Sequence, residues 1–266
     1  MKKIIGGLVI CGAVLVVSTT TVLAEEFKAT TEGSVSFTTD KDKTGVITKP
    51  EEPGVVIVPE VDEGNKTVGD LRLQFVPSFK FGINELKVGE QLLNPTLIKY
   101  EQTVPAETGD KYIPHFIQVT DVRGKKQGWN LKVSSTTFKT SAGDELPYAK
   151  ITFKQAKLSN DVYNATELAD KVKTFADGGN TLDIPTEASQ AALVMSTKTA
   201  DATTDGTGTT IVLDDSYDKD KVYAATEKNA QVVLTKTNKD IPVIAETGQP
   251  EKVYKATITW TLTDAF

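Results

Sequence analysis

The only two tryptophans of the sequence occupy the same three-residue frame. They lie in "GWNLKVS", where Trp129 precedes Leu131, and in "YKATITWTLTDAF", where Trp260 precedes Leu262. In both segments the Trp and the Leu fall on one face of a strand with period-two alternation. Such a face can pack a core, or it can present an aromatic ridge that binds a saccharide or a protein. The residues themselves leave both interpretations open.

Residue types that carry acid–base or nucleophilic catalysis are scarce. His115 is the only histidine, and without a nearby Cys or second His it is a poor metal ligand or triad base. We expect it to have a structural or surface role. The sequence has no GxSxG elbow, no phosphate-cradling glycine loop and no metal-spaced cysteine pair. These patterns predict that the protein is not an enzyme and uses no cofactor or metal.

Carboxylates are concentrated in "DDSYDKDK", which contains Asp214, Asp215, Asp218 and Asp220. Paired carboxylates can serve a glycosidase. Here the interleaved lysines indicate a solvated loop, with a weak oxygen-ligand calcium site as the alternative. The segment lacks the glycine and the distal glutamate of an EF-hand loop.

Strands must position these residues, because period-two alternation is the main pattern from residue 71 onward. Leu71, Leu73 and Phe75 alternate with Arg72 and Gln74, as in a half-buried antiparallel strand. Similar alternation marks residues 115–122, 149–155 and 231–236. Clusters of Gly, Asp, Asn and Pro separate these runs at sheet-like intervals. The sequence therefore predicts an all-β fold, a β-sandwich with long loops and little helix.

Two segments depart from this pattern. Residues 185–198 are compatible with a helix, although 191–195 also fits a buried strand. Residues 38–70 are acidic, contain Pro and Gly, and hold one apolar island at Val55–Val58. We predict that they form a linker or surface loop of low β content. The preceding "GSVSFT" is typical of a strand, which would place this loop inside the domain.

The first 24 residues predict export. Lys2 and Lys3 precede an apolar run of 14 residues, and Ala24 suits cleavage by signal peptidase. A membrane anchor is the alternative, but the run is shorter than the roughly 20 residues that span a bilayer. Cys11 lies in the middle of the run, which disfavours a lipid-modified cysteine. Residues 25–266 are then expected to form a single secreted domain.

The rest of the composition restricts how this domain is held together and what it binds. Cys11 is the only cysteine, so a chain that starts at Glu25 depends on burial and backbone pairing rather than disulfides. The chain carries 30 basic and 36 acidic side chains, and loss of Lys2 and Lys3 leaves a net charge of −8. This charge argues against a nucleic-acid partner, which requires clustered Lys and Arg. Because no Leu-Pro motif, hydrophobic stretch and basic tail follow Leu262, we expect no covalent cell-wall sorting signal.

The ordered set of motifs resembles the WxL-domain surface proteins of low-GC Gram-positive bacteria. The similarity includes the two Trp-x-Leu motifs, "GSVSFT", the acidic stretch after it, "LRLQFVPSFKFGINEL" and "HFIQVTDVRG…GWNLKVS". It covers essentially all of residues 25–266, and the order of the motifs is more specific than any Trp-x-Leu alone. One departure is the terminal Asp264-Ala265-Phe266, where the family pattern often ends in Asp-Ala-Pro.

The resemblance implies a secreted, β-rich protein of the cell surface that attaches non-covalently to the cell wall, with peptidoglycan as ligand. It also implies complexes with other WxL proteins and a membrane-anchored partner protein. An alternative is that the chain is an interaction subunit of a multi-protein surface complex, with another protein as its direct ligand. If the two motif strands are neighbours in a sheet, Trp129 and Trp260 are expected to lie together. The residues that the resemblance assigns to the motif are Trp129, Leu131, Trp260 and Leu262.

Overall fold

A computed structural model describes residues 44–199, 202–240, 242, 244 and 252–264. These residues form strands, one short α-helix and one 3₁₀ turn, which confirms the predicted all-β class. The strands, β1 to β19 in chain order, are Ile47–Lys49, Glu52–Pro59, Gly64–Asn65, Leu71–Pro77, Gln91–Leu93, Ile98–Val104, Ala106–Ile113, Phe116–Asp121, Trp129–Ser135, Phe138–Lys139, Glu145–Leu146, Lys150–Phe153, Lys157–Asn160, Val172–Thr174, Leu182–Asp183, Ala192–Thr197, Thr207–Val212, Val232–Lys236 and Ile258–Asp264. The helix α1 is Ala165–Lys171, and the 3₁₀ turn is Ala188–Gln190.

The strands assemble into antiparallel sheets. The central sheet has the order β13-β17-β8-β4-β3. The sheet that carries both Trp-x-Leu motifs, here called the motif sheet, has the order β14-β16-β9-β19. Two further four-stranded sheets have the orders β15-β12-β18-β5 and β1-β2-β6-β7, and β10 and β11 form a small hairpin.

The central sheet is buried on both faces because successive side chains of its strands enter different cores. Ile117 and Ile211 belong to a large core shared with the motif sheet and the β15-β12-β18-β5 sheet. Phe116 and Val212, their chain neighbours, belong to a second core shared with the β1-β2-β6-β7 sheet. The predicted sandwich is therefore present, and the structure adds a third layer to it.

That third layer corrects the interpretation of residues 38–70. The stretch was predicted to have low β content, but its described part contains β1, β2 and β3. Side chains of the central sheet hold it: Gln118 donates from Nε2 to Oγ1 of Thr48 (2.8 Å), and Gln74 donates to the carbonyl of Thr44 (2.7 Å). Ile57 of β2 also enters the second core, so both apolar burial and these polar contacts hold the layer. Sequence patterns missed these strands because the buried polar partners leave no clear apolar–polar alternation in the segment.

The same layer corrects the expected exposure of β4. Arg72 and Gln74 were expected on a solvent face, but they are 5% and 1% exposed. Arg72 donates from Nε to Oε1 of Gln74 (2.7 Å), so the two side chains share a buried polar contact. In β12 the expected half-buried pattern is confirmed, with Ile151 and Phe153 buried and Lys150 exposed.

The helix-compatible segment 185–198 forms a 3₁₀ turn and then β16, in line with the strand interpretation of 191–195. The one α-helix of the described residues lies elsewhere, where the side chain of Asn164 accepts hydrogen bonds from the backbone N–H groups of Thr166 and Glu167. The side chain of Glu167 reciprocates by accepting from the backbone of Asn164. This capping box was a readable signal, "NATE", that the sequence analysis did not use.

The predicted export segment, residues 1–24, and the predicted strand in "GSVSFT" lie outside the described residues. Within the residues that are described, no helix has the length and apolarity needed to cross a membrane.

Candidate functional site

The two motif strands are neighbours in the motif sheet, as predicted. β19 pairs antiparallel with β9 without interruption, and Leu262 lies opposite Leu131. Trp260 lies opposite Val133, and Trp129 lies opposite Asp264. The two tryptophans are therefore offset by four positions, or roughly 13 Å along the strands. The leucines are direct partners, whereas the expected side-by-side placement of the tryptophans was wrong.

The first motif lies in the large core. Trp129 and Leu131 are both 0% exposed. The indole Nε1 of Trp129 donates to Oγ1 of Thr204 (2.9 Å), a residue that is itself 1% exposed. The polar edge of a buried Trp needs such a partner. This arrangement leaves no surface of Trp129 available to a ligand.

The second motif has a different environment because β19 is the outermost of the described strands of its sheet. Trp260 and Leu262 are only half-buried, and the intervening threonine, Thr261, is exposed. The ring of Trp260 stacks on that of Phe153, with centroids 6.3 Å apart and planes 10° from parallel. Trp260 is therefore supported by the core on one side and borders an open space on the other.

That space is a groove of about 1010 Å³ beside β19. The even-numbered residues of the C-terminal segment form one wall, from Tyr254 to Trp260. The opposite wall includes residues 78–86, which have no regular secondary structure and include the exposed Ile83 and Leu86. Buried apolar residues form the floor; they include Phe138, Leu146, Ile151 and Leu234.

Aromatic contacts connect the groove with the interior. Phe79 stacks on His115 with a centroid distance of 4.8 Å and contacts Phe153 at 5.6 Å. Phe153 in turn contacts Trp260, so the rings form a continuous row. Phe79 belongs to the "FKFG" element, and its neighbour Phe81 lines the groove directly.

His115 has the structural role that was one of the two expected from its sequence context. It is 1% exposed, and its Nδ1 lies 3.3 Å from Nδ2 of Asn229. Burial lowers its pKa to about 3 because the charged form would lose its hydration. The ring is therefore neutral near pH 7 and is enclosed by protein.

An arginine fixes the end of the motif strand. Arg123 donates from Nη2 to Oδ2 of the fully buried Asp121 (2.7 Å) and from Nη1 to Oδ1 of Asp264 (2.5 Å). The hydrogen bond with Asp121 raises the pKa of Arg123 above its ordinary value. Asp264 lies in the terminal "TDA" of the second motif, so this clamp joins that motif to the loop that precedes the first.

Acidic side chains gather closely at one place in the part of the chain that the structure describes. Among those residues, three ligand carboxylates approach one another only at Glu60, Asp62 and Glu63, and lysines already bond to them. Lys80 lies 2.8 Å from Asp62, and the hydrogen bond between them lowers the pKa of that carboxyl. In the "DDSYDKDK" loop, Asp214 instead accepts from the backbone and hydroxyl of Ser216.

Sequence analysis did not identify the groove residues outside the motifs. Alternation along "YKATITWTLTDAF" puts Tyr254, Ala256 and Ile258 on the face of Trp260, but nothing in the sequence shows that this face borders an opening. Phe81 and Lys255 also line the groove. A partial signal existed in the resemblance, because "FKFG" was one of the matching elements.

A comparison with known protein families identifies the family of this chain. No curated protein and no solved structure gives a significant match. A family model described as "WxL domain surface cell wall-binding" matches residues 24–265, nearly the whole chain. Because that match covers nearly the whole chain, including both Trp-x-Leu strands, the chain belongs to the WxL family of cell-wall-binding surface domains.

Proposed function

We propose that the protein is secreted and attaches non-covalently to peptidoglycan through the groove beside β19. The family match establishes a cell-wall-binding domain of the cell surface. Secretion rests on the N-terminal pattern of Lys2, Lys3, the apolar run and Ala24. The family description names no wall polymer, and we propose peptidoglycan as that component.

The observation that carries the proposal is the half-buried ring of Trp260 at the edge of the groove. A Trp ring offers a large apolar face with little conformational entropy to lose, which suits the face of a sugar ring. Tyr254 and Phe81 add aromatic surface to the same groove. Its volume of about 1010 Å³ lies at the upper end of ordinary ligand pockets, so it can accept several units of a polymer.

The two motifs thus have separate roles in this proposal. Trp129 and Leu131 hold the motif sheet on the core. Trp260 presents the outer part of the same sheet to the ligand, and Leu262 packs partly against the core beside it. The Trp-x-Leu pattern occurs in both strands, and the leucines of the two copies of the pattern, Leu131 and Leu262, pair directly across the sheet.

We propose a binding role without catalysis. The family is one of wall-binding domains. His115 is enclosed and has a pKa of about 3, so it is a poor proton donor or acceptor for a substrate at neutral pH. Each carboxylate of the Glu60, Asp62 and Glu63 group faces a lysine ammonium within 2.9 Å.

Co-sedimentation with purified peptidoglycan tests the proposal. We expect Trp260→Ala and Tyr254→Ala to weaken binding by about tenfold or more, as for residues at the centre of an interface. Thr261→Ala is the matched control because Thr261 lies on the same strand and points to the other face. Equal binding by Trp260→Ala and Thr261→Ala would move the binding surface away from the groove.

The alternative is an interaction subunit of a surface complex that contains other WxL proteins and a membrane-anchored partner. The outermost position of β19 favours it, because an exposed strand edge is a site for protein pairing. Protein that binds intact cells but not purified peptidoglycan would support this alternative. In either case a chaotrope should release the protein from cells, and release only by wall-digesting enzyme would exclude non-covalent attachment.

A further inference from the structure

Among the strands that the structure describes, β19 forms one edge of the motif sheet. β19 is the last strand of the order β14-β16-β9-β19, and within the described residues it pairs only with β9. The register runs from Ile258 to Asp264 without a bulge. Its other edge is therefore a regular row of backbone groups seven residues long.

Hydrogen bonding beside β19 shows which backbone groups face outward. The backbone N–H of Thr136 donates to the carbonyl of Thr257 (2.9 Å), so Thr257 turns its backbone toward β9. Along an antiparallel strand pair, every second residue directs its backbone N–H and C=O toward the partner strand. Because the register with β9 is continuous, the odd-numbered residues of β19 direct these groups toward β9, as Thr257 does. The N–H and C=O groups of Ile258, Trp260 and Leu262 consequently point away from β9.

Nothing in the sequence of β19 protects this edge. Natural edge strands usually carry proline, an inward-facing charge, a lysine or a bulge that blocks pairing. The strand reads "ITWTLTD", and its only charged residue, Asp264, is at its end. Its side chains alternate between exposed threonines and half-buried apolar residues, a pattern that a further strand can continue.

Most of the charged residues that line the groove beside this edge are basic. Its lining contains Lys80, Lys236, Lys252 and Lys255 against a single acid, Glu85, although the whole chain has a net charge of −6. Lys80 bonds to Asp62 and Glu63. Lys252 and Lys255 are exposed, and the described residues include no carboxylate paired with either.

We propose that the edge of β19 receives an extended, acidic strand from a second protein. The strand's backbone would pair with the outward groups of Ile258, Trp260 and Leu262, which is strand addition to an existing sheet. Its alternate apolar side chains would enter the groove, and its acidic side chains would face Lys252 and Lys255. This inference goes beyond the proposed wall binding, because it rests on the backbone edge and either can fail without the other.

Charge and backbone hydrogen bonding separate this occupant from two others. In an antiparallel pairing of two β19 edges, the lysines of each copy would lie near the far end of the other strand, whose only charged residue, Asp264, already bonds to Arg123. A second copy would therefore offer these lysines no uncommitted carboxylate from its β19. A glycan cannot supply the repeating N–H and C=O groups that the edge presents. An acidic peptide strand meets both requirements.

Amide hydrogen exchange with a defined probe tests the proposal. The probe is a synthetic seven-residue peptide of alternating glutamate and valine. We expect it to slow exchange at the amides of Ile258, Trp260 and Leu262 by about tenfold or more at saturation. The control peptide has the same sequence with alternate backbone nitrogens methylated, which removes half of its donors, and it should give no protection.

Charge variants complete the test. Lys255→Glu should weaken the peptide by about fivefold, in the range of one surface charge pair. Lys173→Glu, on β14 at the opposite edge of the same sheet, should leave the affinity unchanged. A peptide with lysine in place of glutamate should bind more weakly than the probe.

Four outcomes would overturn the proposal. They are unchanged exchange at millimolar probe, equal protection by the methylated peptide, protection without peptide that rises with protein concentration, and protection of the same amides by soluble peptidoglycan fragments. The third would assign the edge to a second copy, and the fourth would assign it to the wall. Loss of peptidoglycan co-sedimentation with intact peptide binding would instead reject only the proposed function.

Discussion

Truncation of the two tryptophans should have unequal costs, because their environments differ. The indole of Trp129 is 0% exposed and donates to the hydroxyl of Thr204. Emptying such a site by Trp129→Ala removes about 3–5 kcal/mol from the free energy of unfolding. The cost should lie near the top of that range, because the hydroxyl of Thr204 would lose its partner in a buried place. This is a large fraction of the stability of a typical domain.

Trp260→Ala should cost less, about 1–2 kcal/mol, because the ring is half-buried and only part of its surface is lost from a packed environment. Its main loss is the contact with Phe153 at a centroid distance of 6.3 Å. The four-position offset makes the two sites nearly independent, since substitutions more than 7–10 Å apart are usually additive. The double variant should therefore lose the sum of the two single costs within about 0.5 kcal/mol.

Urea unfolding followed by circular dichroism measures these costs without relying on tryptophan fluorescence. Trp129→Phe is a second variant that retains most of the ring and removes the N–H; it should cost about 1–3 kcal/mol through Thr204 alone. The reasoning would be refuted if Trp260→Ala cost as much as Trp129→Ala. A coupling above about 1 kcal/mol in the double variant would show that the two rings share one packed layer after all.

Further predictions concern the elements around the site. Arg123→Ala should lower the free energy of unfolding by about 3–5 kcal/mol because it leaves the buried Asp121 without its charged partner. Asp264→Asn changes an exposed carboxylate and should lower it by less than about 1 kcal/mol. Similar urea midpoints for the two variants would contradict this. Burial lowers the pKa of His115 from its ordinary value of 6.5 to about 3 in the folded protein. Between these two pH values the unfolded chain is protonated at His115 and the folded chain is not, so the free energy of unfolding should fall as the pH drops from 6.5 toward 3. His115→Asn should lack that contribution, which a comparison of unfolding free energies at pH 7 and pH 4.5 detects; an identical pH dependence in both proteins would exclude it. Gly64→Ala should destabilise the protein by about 1–3 kcal/mol because its Cβ would collide with the carbonyl oxygen of Val76. Gly54→Ala, where nothing lies within 4 Å of the added Cβ, should be close to neutral in the same urea unfolding measurements.

Local alternation was enough to predict the strands that have one apolar and one polar face. β12 and β19 both follow their sequence pattern, with Phe153 and Trp260 on the inner face and Lys150 and Thr261 outside. The pattern failed where both faces are buried. In β4 the polar residues Arg72 and Gln74 lie under the third layer, and hydrogen bonds rather than hydrophobicity make their burial tolerable.

The sequence alone determined that this chain is all-β, that the two Trp-x-Leu frames belong to strands, and that its motifs resemble the WxL family, because alternation and motif order are local properties of the chain. Which tryptophan is buried could not be read from it, since both frames have the same alternation. That depends on position in the sheet: Trp129 lies on β9 with neighbours on both sides, and Trp260 lies on β19, which among the described strands has a neighbour on one side only. Tertiary structure also decided the four-position offset of the two rings and the opening of the groove beside Trp260, because register and edges arise from contacts between segments about 130 residues apart.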